Sequence, residues 1–340
     1  MYFKSIDVLR FIAVFVSFLT HIGYIDFYHG HTFFFVLSGF LLTTLAQREV
    51  IQTGGFSLYN YTIRRIIRIF PLYFLILTLC FFVIPYFLSG NYTLPNFWYY
   101  LTFTANYYNE PHIFALQILW AVSVQEQFYL FISFCFKFFY KHLKKIGLGM
   151  IALSFPYKYL CELMDWNAYF HTVTHFSSFG IGILLAISHD KKWFQPFIQL
   201  SKKKIFIVYL LIIGIFIINI FLYKYQIWYY IDNLIISLAF AFIIAEQCFF
   251  KNLIIPLIRL KRLQYLGRIS YGLYCYQGIV ISIGILVYRK LGYVHDIWFA
   301  LISFIVLVVV THISYTYFEK HFLQLKNKFR KYKSNDRYAR

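Results

Sequence analysis

The chain has 340 residues, of which 61% are hydrophobic and 24% aromatic, while only 13% are charged. A soluble protein with about half the usual charged share could not cover its surface, so the bilayer must be its solvent. The formal net charge of +19 could suit nucleic acid, but the basic residues fall in short clusters between apolar runs, where the positive-inside rule expects them, and no zinc-finger, helix-turn-helix or RNA-binding pattern accompanies them.

A helix needs about 20 mostly apolar residues to cross a bilayer, and that measure predicts about ten spans. They fall near residues 6–27, 31–47, 66–88, 115–138, 147–164, 173–188, 204–223, 226–248, 269–288 and 297–318. The run 95–107 is too short to span and is placed at the outer surface or as a re-entrant piece. With the N-terminus inside, the inner loops hold Arg48, Arg64, Arg65 and Arg68, then Lys141, Lys144 and Lys145, then Lys191, Lys192 and Lys202 to Lys204, then Lys251, Arg259, Lys261, Arg262 and Arg268. The outer loops keep little beyond Lys224, Arg289 and Lys290. The expected fold is therefore an all-α polytopic bundle in the cytoplasmic (inner or plasma) membrane, with both termini cytoplasmic. Residues 1–322 form one membrane domain and 323–340 a basic cytoplasmic tail, solvated and touching anionic lipid. The first apolar run carries Arg10 and His21 and lacks a small-residue cleavage site, so it reads as a retained span and not a signal peptide. Cys80, Cys135, Cys161, Cys248 and Cys275 lie in or beside apolar runs without a CxxC pair, so neither a disulfide nor a metal is expected.

In the first span, SIDVLRFIAVFVSFLTHIGYID, Arg10 and His21 are 11 residues apart. On a helix they share nearly one face, about 16 Å apart along the axis. Asp7 stands three residues before Arg10, close enough to pair with it. A charge at mid-helix costs roughly 2.5–3.5 kcal/mol on insertion scales, so this stripe suggests a polar pathway inside the bundle. The plain alternative is a snorkelling Arg10 and a structural His21. Ser38-Gly39 in HTFFFVLSGFLL allows close helix packing or lines a ligand cavity. In YTIRRIIRIFPLY, Arg65 and Arg68 share a helix face and Arg64 is their neighbour. Guanidinium forks there suit the phosphates of a nucleotide-bearing donor, against plain membrane anchoring. LWAVSVQEQFYLF sets Gln125, Glu126 and Gln127 in an apolar run, and Asp232 in IDNLII is a second intramembrane acid, whose plain explanation is a helix-packing hydrogen bond.

Taken in order, SIDVLRFIAVF with its histidine, FFFVLSGFLL, RRIIRIFPLY, LWAVSVQEQFYL, LGRISYGLYCYQ and SYTYFEKHFLQLKNKF resemble the successive blocks of the acyltransferase-3 family of integral membrane acyltransferases. That resemblance implies transfer of an acyl group, usually acetyl, from cytoplasmic acyl-CoA to a sugar hydroxyl of a surface glycan or glycolipid. It implies Arg10 and His21 as the family's arginine–histidine pair, with His21 the catalytic base that deprotonates the acceptor hydroxyl or the group that accepts the acyl for relay outward, and Arg10 holding the donor or the oxyanion; it implies Arg65 and Arg68 as the holders of CoA phosphates, and Ser38 and Gly39 as lining of the acyl passage. The family pattern W-S-L-x-x-E falls on Trp120 to Gln125, so the usual acid position is Gln125 and the acid is displaced to Glu126; the family's frequent histidine after the SYxLYL block is Gln277. Either Glu126 carries the acid's role or Gln125 serves as a neutral hydrogen-bonding group, with Glu126 facing an outer aqueous vestibule. No fused outer domain is expected. The rival reading is a transporter or lipid flippase without chemistry, its intramembrane charges marking a substrate path.

Overall fold

The computed structural model describes residues 3–87, 94–108, 113–189, 191–222, 225–292 and 296–329. Ten long helices form the bundle: α1 (Lys4–His21), α2 (Gly30–Thr53), α3 (Leu58–Thr78), α4 (Trp120–Phe138), α5 (Leu143–Leu163), α6 (Phe176–Ser188), α7 (Lys202–Leu222), α8 (Gln226–Phe249), α9 (Ser270–Lys290) and α10 (Ile297–Ser314). Among the described residues there is no strand. Among the described residues, seven helical stretches are long and apolar enough to cross a membrane: Gly30–Thr53, Leu58–Val83, Phe114–Phe138, Lys202–Leu222, Ile227–Phe249, Ser270–Lys290 and Ile297–Leu325. The other three long helices fall short for physical reasons. α1 puts Lys4, Asp7 and Arg10 into one 18-residue helix, α5 carries Lys144, Lys145, Lys158 and Glu162, and α6 is only 13 residues long. The outer face of α7 is greasy, with Leu211 62% and Phe221 66% exposed, as a lipid-facing helix requires.

Several boundaries differ from the sequence expectation. α2 continues through Arg48 and Glu49 to Thr53, and stops where Gly54 turns left-handed at φ +76°. Glu49 is tolerated because it is paired, as described below. α3 begins at Leu58, capped by the Ser57 hydroxyl, eight residues before the expected span, so the arginine cluster lies within the helix, as does Pro71. Beyond Thr78 the helix widens into a π turn, Leu79–Val83, and α10 likewise passes into a π turn at Tyr315–Glu319. The segment around 97–107 is a short helix, Phe97–Leu101, plus a turn; Tyr73 donates to the Tyr100 carbonyl at 2.8 Å and Gln127 donates to the Phe103 carbonyl at 2.8 Å, tying it to α3 and α4. Of the basic tail, Lys320–Leu325 and Lys326–Phe329 pack on α3, and residues 330–340 lie outside the described residues.

Helix α6 is the centre of the packing. It presses against α2 so closely that a Cβ on Gly39 would sit 2.2 Å from the Phe179 carbonyl oxygen, and one on Gly182 would sit 2.1 Å from that of Val36. Small residues permit this approach, which in lipid replaces the hydrophobic drive of a soluble core. Phe179 then stacks on Phe128 of α4 at 3.8 Å, and Phe35 of α2 lies 4.8 Å from Phe179. This Phe layer fixes α2, α4 and α6 around the cavity described next.

Candidate active site

One cavity of about 140 Å³ takes its wall from five helices. Arg10 comes from α1, Arg65, Arg68 and Ile69 from α3, Ala121, Val122, Gln125 and Tyr129 from α4, and Ser270, Tyr271 and Tyr274 from α9. From α2 come His31, Phe34, Phe35, Leu37, Ser38, Leu41, Leu42 and Leu45. These mostly follow the three- and four-residue spacing of one helix face, so the cavity follows α2 for about 21 Å. It is a passage lined by Phe and Leu, wide enough for several waters or a short acyl group.

Three guanidiniums make part of the wall cationic. Arg10 donates to Asp7 at 2.9 Å, and Asp7 is 1% exposed, so the carboxylate is held behind the wall and aims the guanidinium. Arg65 lies over the Tyr129 ring at 5.1 Å and the Tyr61 ring at 5.5 Å, a cation–π clamp that leaves its N–H edges for a ligand. Arg68 is beside Arg10, Arg65 and Tyr129, with Asp7 and Glu319 as nearby acids. Glu319 reaches inward because the π turn rotates it toward the bundle, where Ser314 donates to it at 3.4 Å. Arg64 points elsewhere. Its two nitrogens reach Glu49 at 2.9 Å and the Phe329 carbonyl at 2.8 Å, while Ser57 N–H donates to the other Glu49 oxygen at 2.8 Å. This joint fastens α2, α3 and the C-terminal segment.

Along the wall, the Ser38 hydroxyl is 3.2 Å from that of Tyr129. Gly39, one residue on, faces α6 and not the passage. The three polar residues of α4 diverge, as a 100° step requires. Gln125 lines the passage. Glu126 is half-buried near Arg65, Tyr73 and Tyr271, and its Oε1 is buried without a protein partner. It is not part of the passage wall. Gln127 binds Asn106 at 2.8 Å and accepts from Thr172, so it is a fastener of loops.

At the opposite end of α1 from Arg10, His21 lies edge-on to Phe114 at 5.2 Å with Gln277 beside it. Its Nδ1 and both side-chain polar atoms of Gln277 are buried without a protein partner. His21 is not part of the passage wall. Trp120, 8% exposed, backs that wall against His31 at 4.9 Å and His175 at 5.6 Å. The passage therefore brings Arg10, Ser38, Arg65, Arg68 and Gln125 together, and leaves Asp7, His21, Gly39, Arg64, Trp120 and Glu126 behind or beside it. Sequence reasoning missed His31, Tyr129, Tyr271, Tyr274 and Glu319. It also missed Lys158, which donates to Asp232 at 2.9 Å and to the Tyr229 carbonyl at 2.6 Å, with His29 Nε2 3.7 Å from the same carboxylate. Asp232 is thus one half of an intramembrane ion pair joining α5 to α8, more than a packing hydrogen bond.

Comparison with known proteins agrees with this geometry. The acyltransferase-3 family, described as an acyltransferase domain, matches residues 3–316. A Staphylococcus aureus (strain COL) protein named "Putative O-acetyltransferase SACOL0978" is 27% identical over 314 residues, covering 83% of this chain and 51% of that protein. The O-acetyltransferase OatA of Staphylococcus aureus (strain NCTC 8325 / PS 47) is 27% identical over 363 aligned positions, covering 94% of this chain and 57% of the relative. The chain thus spans about half the length of these curated relatives. No solved structure matches it. A family match over nearly the whole chain, joined to a bundle with seven described helical stretches apolar and long enough to cross a membrane, settles the family: the chain belongs to the acyltransferase-3 family.

Proposed function

We propose that the protein takes an acyl group, acetyl by its relatives' names, from acyl-CoA on the cytoplasmic side and transfers it to a sugar hydroxyl of a surface glycan or glycolipid. The observation that carries this reading is the passage itself: the guanidiniums of Arg10, Arg65 and Arg68 share the wall of an apolar tunnel that follows α2 and includes the His31 imidazole. Phosphates need charged forks and a short acyl chain needs an apolar slot. Arg65 and Arg68 hold the CoA phosphates, flanked by Arg64. Arg10, aimed by Asp7, supports the donor or the oxyanion. Ser38 and Gln125 line the acyl path, while Gly39 and Trp120 shape it. His21 takes the proton of the acceptor hydroxyl, and Gln277 helps hold that hydroxyl. Purified protein in liposomes, given acetyl-CoA and a cell-envelope glycolipid extract, should release CoA in step with acylated product; no protein-dependent release with any acyl-CoA contradicts the reading.

The proposal extends to the full topology: about ten spans, with both termini in the cytoplasm. Reporter fusions after residues 55, 145, 196 and 260 should read inside. Fusions after 168, and after 92 and 293, which lie outside the described residues, should read outside. An outside signal at 145 or 196 contradicts ten spans.

A further expectation separates the two candidates on α4. Gln125 faces the passage, whereas Glu126 stands behind it. A neutral amide can orient a hydroxyl without the cost of a buried charge. Gln125→Ala should therefore slow transfer about tenfold, and Glu126→Gln should be tolerated at matched expression. A dead Glu126→Gln beside a normal Gln125→Ala would reverse the assignment.

A further inference from the structure

His31 opens the outer end of the passage and is 9% exposed. Its ring is clamped by Trp120 at 4.9 Å, His175 at 5.0 Å, Tyr169 at 5.2 Å and Phe35 at 5.3 Å. One tautomer satisfies both contacts of the Tyr169 hydroxyl. A hydroxyl has one proton, and the Tyr169 hydroxyl directs it at the Tyr28 carbonyl at 3.2 Å. The same oxygen lies 3.4 Å from His31 Nδ1, so Nδ1 carries the hydrogen and donates it. The lone pair is then on Nε2, which is buried and has no protein partner. A buried nitrogen left open by its own protein is open for something else. Arg, Gln, Ser and Tyr make up the rest of the polar wall, so His31 is the imidazole on the acyl path, while His21 stands to the side of it.

We propose that His31 is the acyl carrier of the reaction: its Nε2 accepts the acyl group from the thioester inside the passage and presents it to the acceptor outside. The inference rests on the acyl-CoA reading above. In the first step the Nε2 lone pair attacks the thioester carbonyl carbon; the N–C bond forms, the C–S bond breaks, and CoA leaves as the thiolate. The Nδ1 hydrogen stays on the ring, held by Tyr169, so the carrier is an acyl-imidazolium, the more reactive form. In the second step the acceptor oxygen, losing its proton to His21, attacks the same carbonyl carbon. The C–N bond breaks, the electron pair returns to Nε2, and the proton taken by His21 passes to the released CoA thiolate through solvent. The passage makes this division reasonable: donor and acceptor never need to meet, because the carrier separates a cytoplasmic step from an outer one.

A carrier permits half of the reaction to run alone. Wild-type protein in detergent, given acetyl-CoA and isotopically labelled CoA without any acceptor, should move label into acetyl-CoA. His31→Gln and His31→Asn should each lower that exchange by about 100-fold or more. Tyr169→Phe keeps the ring but removes the tautomer's anchor, and should slow exchange about tenfold. His21→Gln should lose glycan acylation while still exchanging. His189→Gln, at a histidine stacked on Phe249 and not part of the passage wall, should match wild type in both. Thermal unfolding midpoints near wild type identify variants that fold, and the Asn and Gln forms are independent chances to retain the fold. Exchange that persists in folded His31 variants overturns the carrier. Glycan acylation by wild type without any exchange overturns it too, leaving the acyltransferase reading in place. Neither acylation nor exchange from wild type removes that reading and this one together.

Discussion

Replacing Arg65 or Arg68 with alanine is expected to weaken acyl-CoA binding by about tenfold or more, with the chain still inserted and folded. One charge-assisted contact to a phosphate is worth roughly 1.5–3 kcal/mol. The two residues should differ in degree. Arg65 is held by the faces of Tyr61 and Tyr129, with Glu126 the nearby acid, so its truncation leaves two aromatic rings and one carboxylate without their cation. Arg68 stands near the buried acids Asp7 and Glu319, so its loss also leaves carboxylates under-compensated and should lower the unfolding temperature. Lysine should restore charge but not the fork, giving partial recovery of affinity at either position. Titration calorimetry with a non-transferable acyl-CoA analogue reads both effects. Unchanged affinity in both alanine variants would return the cluster to membrane anchoring.

Removal of the His21 imidazole should have a larger consequence for rate. General base catalysis contributes about 10²–10⁴-fold, and His21→Gln should lower the acyl-transfer rate by that amount with donor affinity unchanged. The reason lies in geometry: His21 stands at the end of α1 remote from the arginines, beside Gln277 and Phe114, with an unpartnered Nδ1. A base at the acceptor end affects turnover but not phosphate binding. Arg10→Ala should show the opposite emphasis, because Arg10 lines the passage with Arg65 and Arg68, the proposed phosphate holders. Steady-state kinetics with acetyl-CoA separate the two, and a His21→Gln variant that turns over within a few-fold of wild type would remove His21 from the chemistry.

The helices were legible because a lipid solvent leaves a coarse signal: long apolar runs separated by basic clusters. What that signal hides is where a helix carries its charge internally. α1 and α5 are strongly polar at several positions because Asp7 pairs with Arg10 and Lys158 with Asp232, the latter across 74 residues of sequence. Pairs that distant have no local pattern. The arginine cluster and the Ser38-Gly39 step were readable from helical spacing, yet spacing could not tell that Arg64 would be captured by Glu49, itself brought there by an extended α2. His31 and His175 were overlooked for the same reason. Each stands in an aromatic-rich run with no chemical motif around it, and their 5.0 Å contact exists only because glycines let α6 lie against α2. Glu319 depended on a π turn, which no period of 3.6 residues announces.

The central claim, that this bundle moves acyl groups onto surface sugars, is tested most directly by mass analysis of cell-surface glycans from matched cells with and without the protein. Ester-linked acyl groups, removable by mild base, should be present with the wild-type chain and absent without it. They should also be lost with His21→Gln. Identical acylation in all three samples would contradict the account.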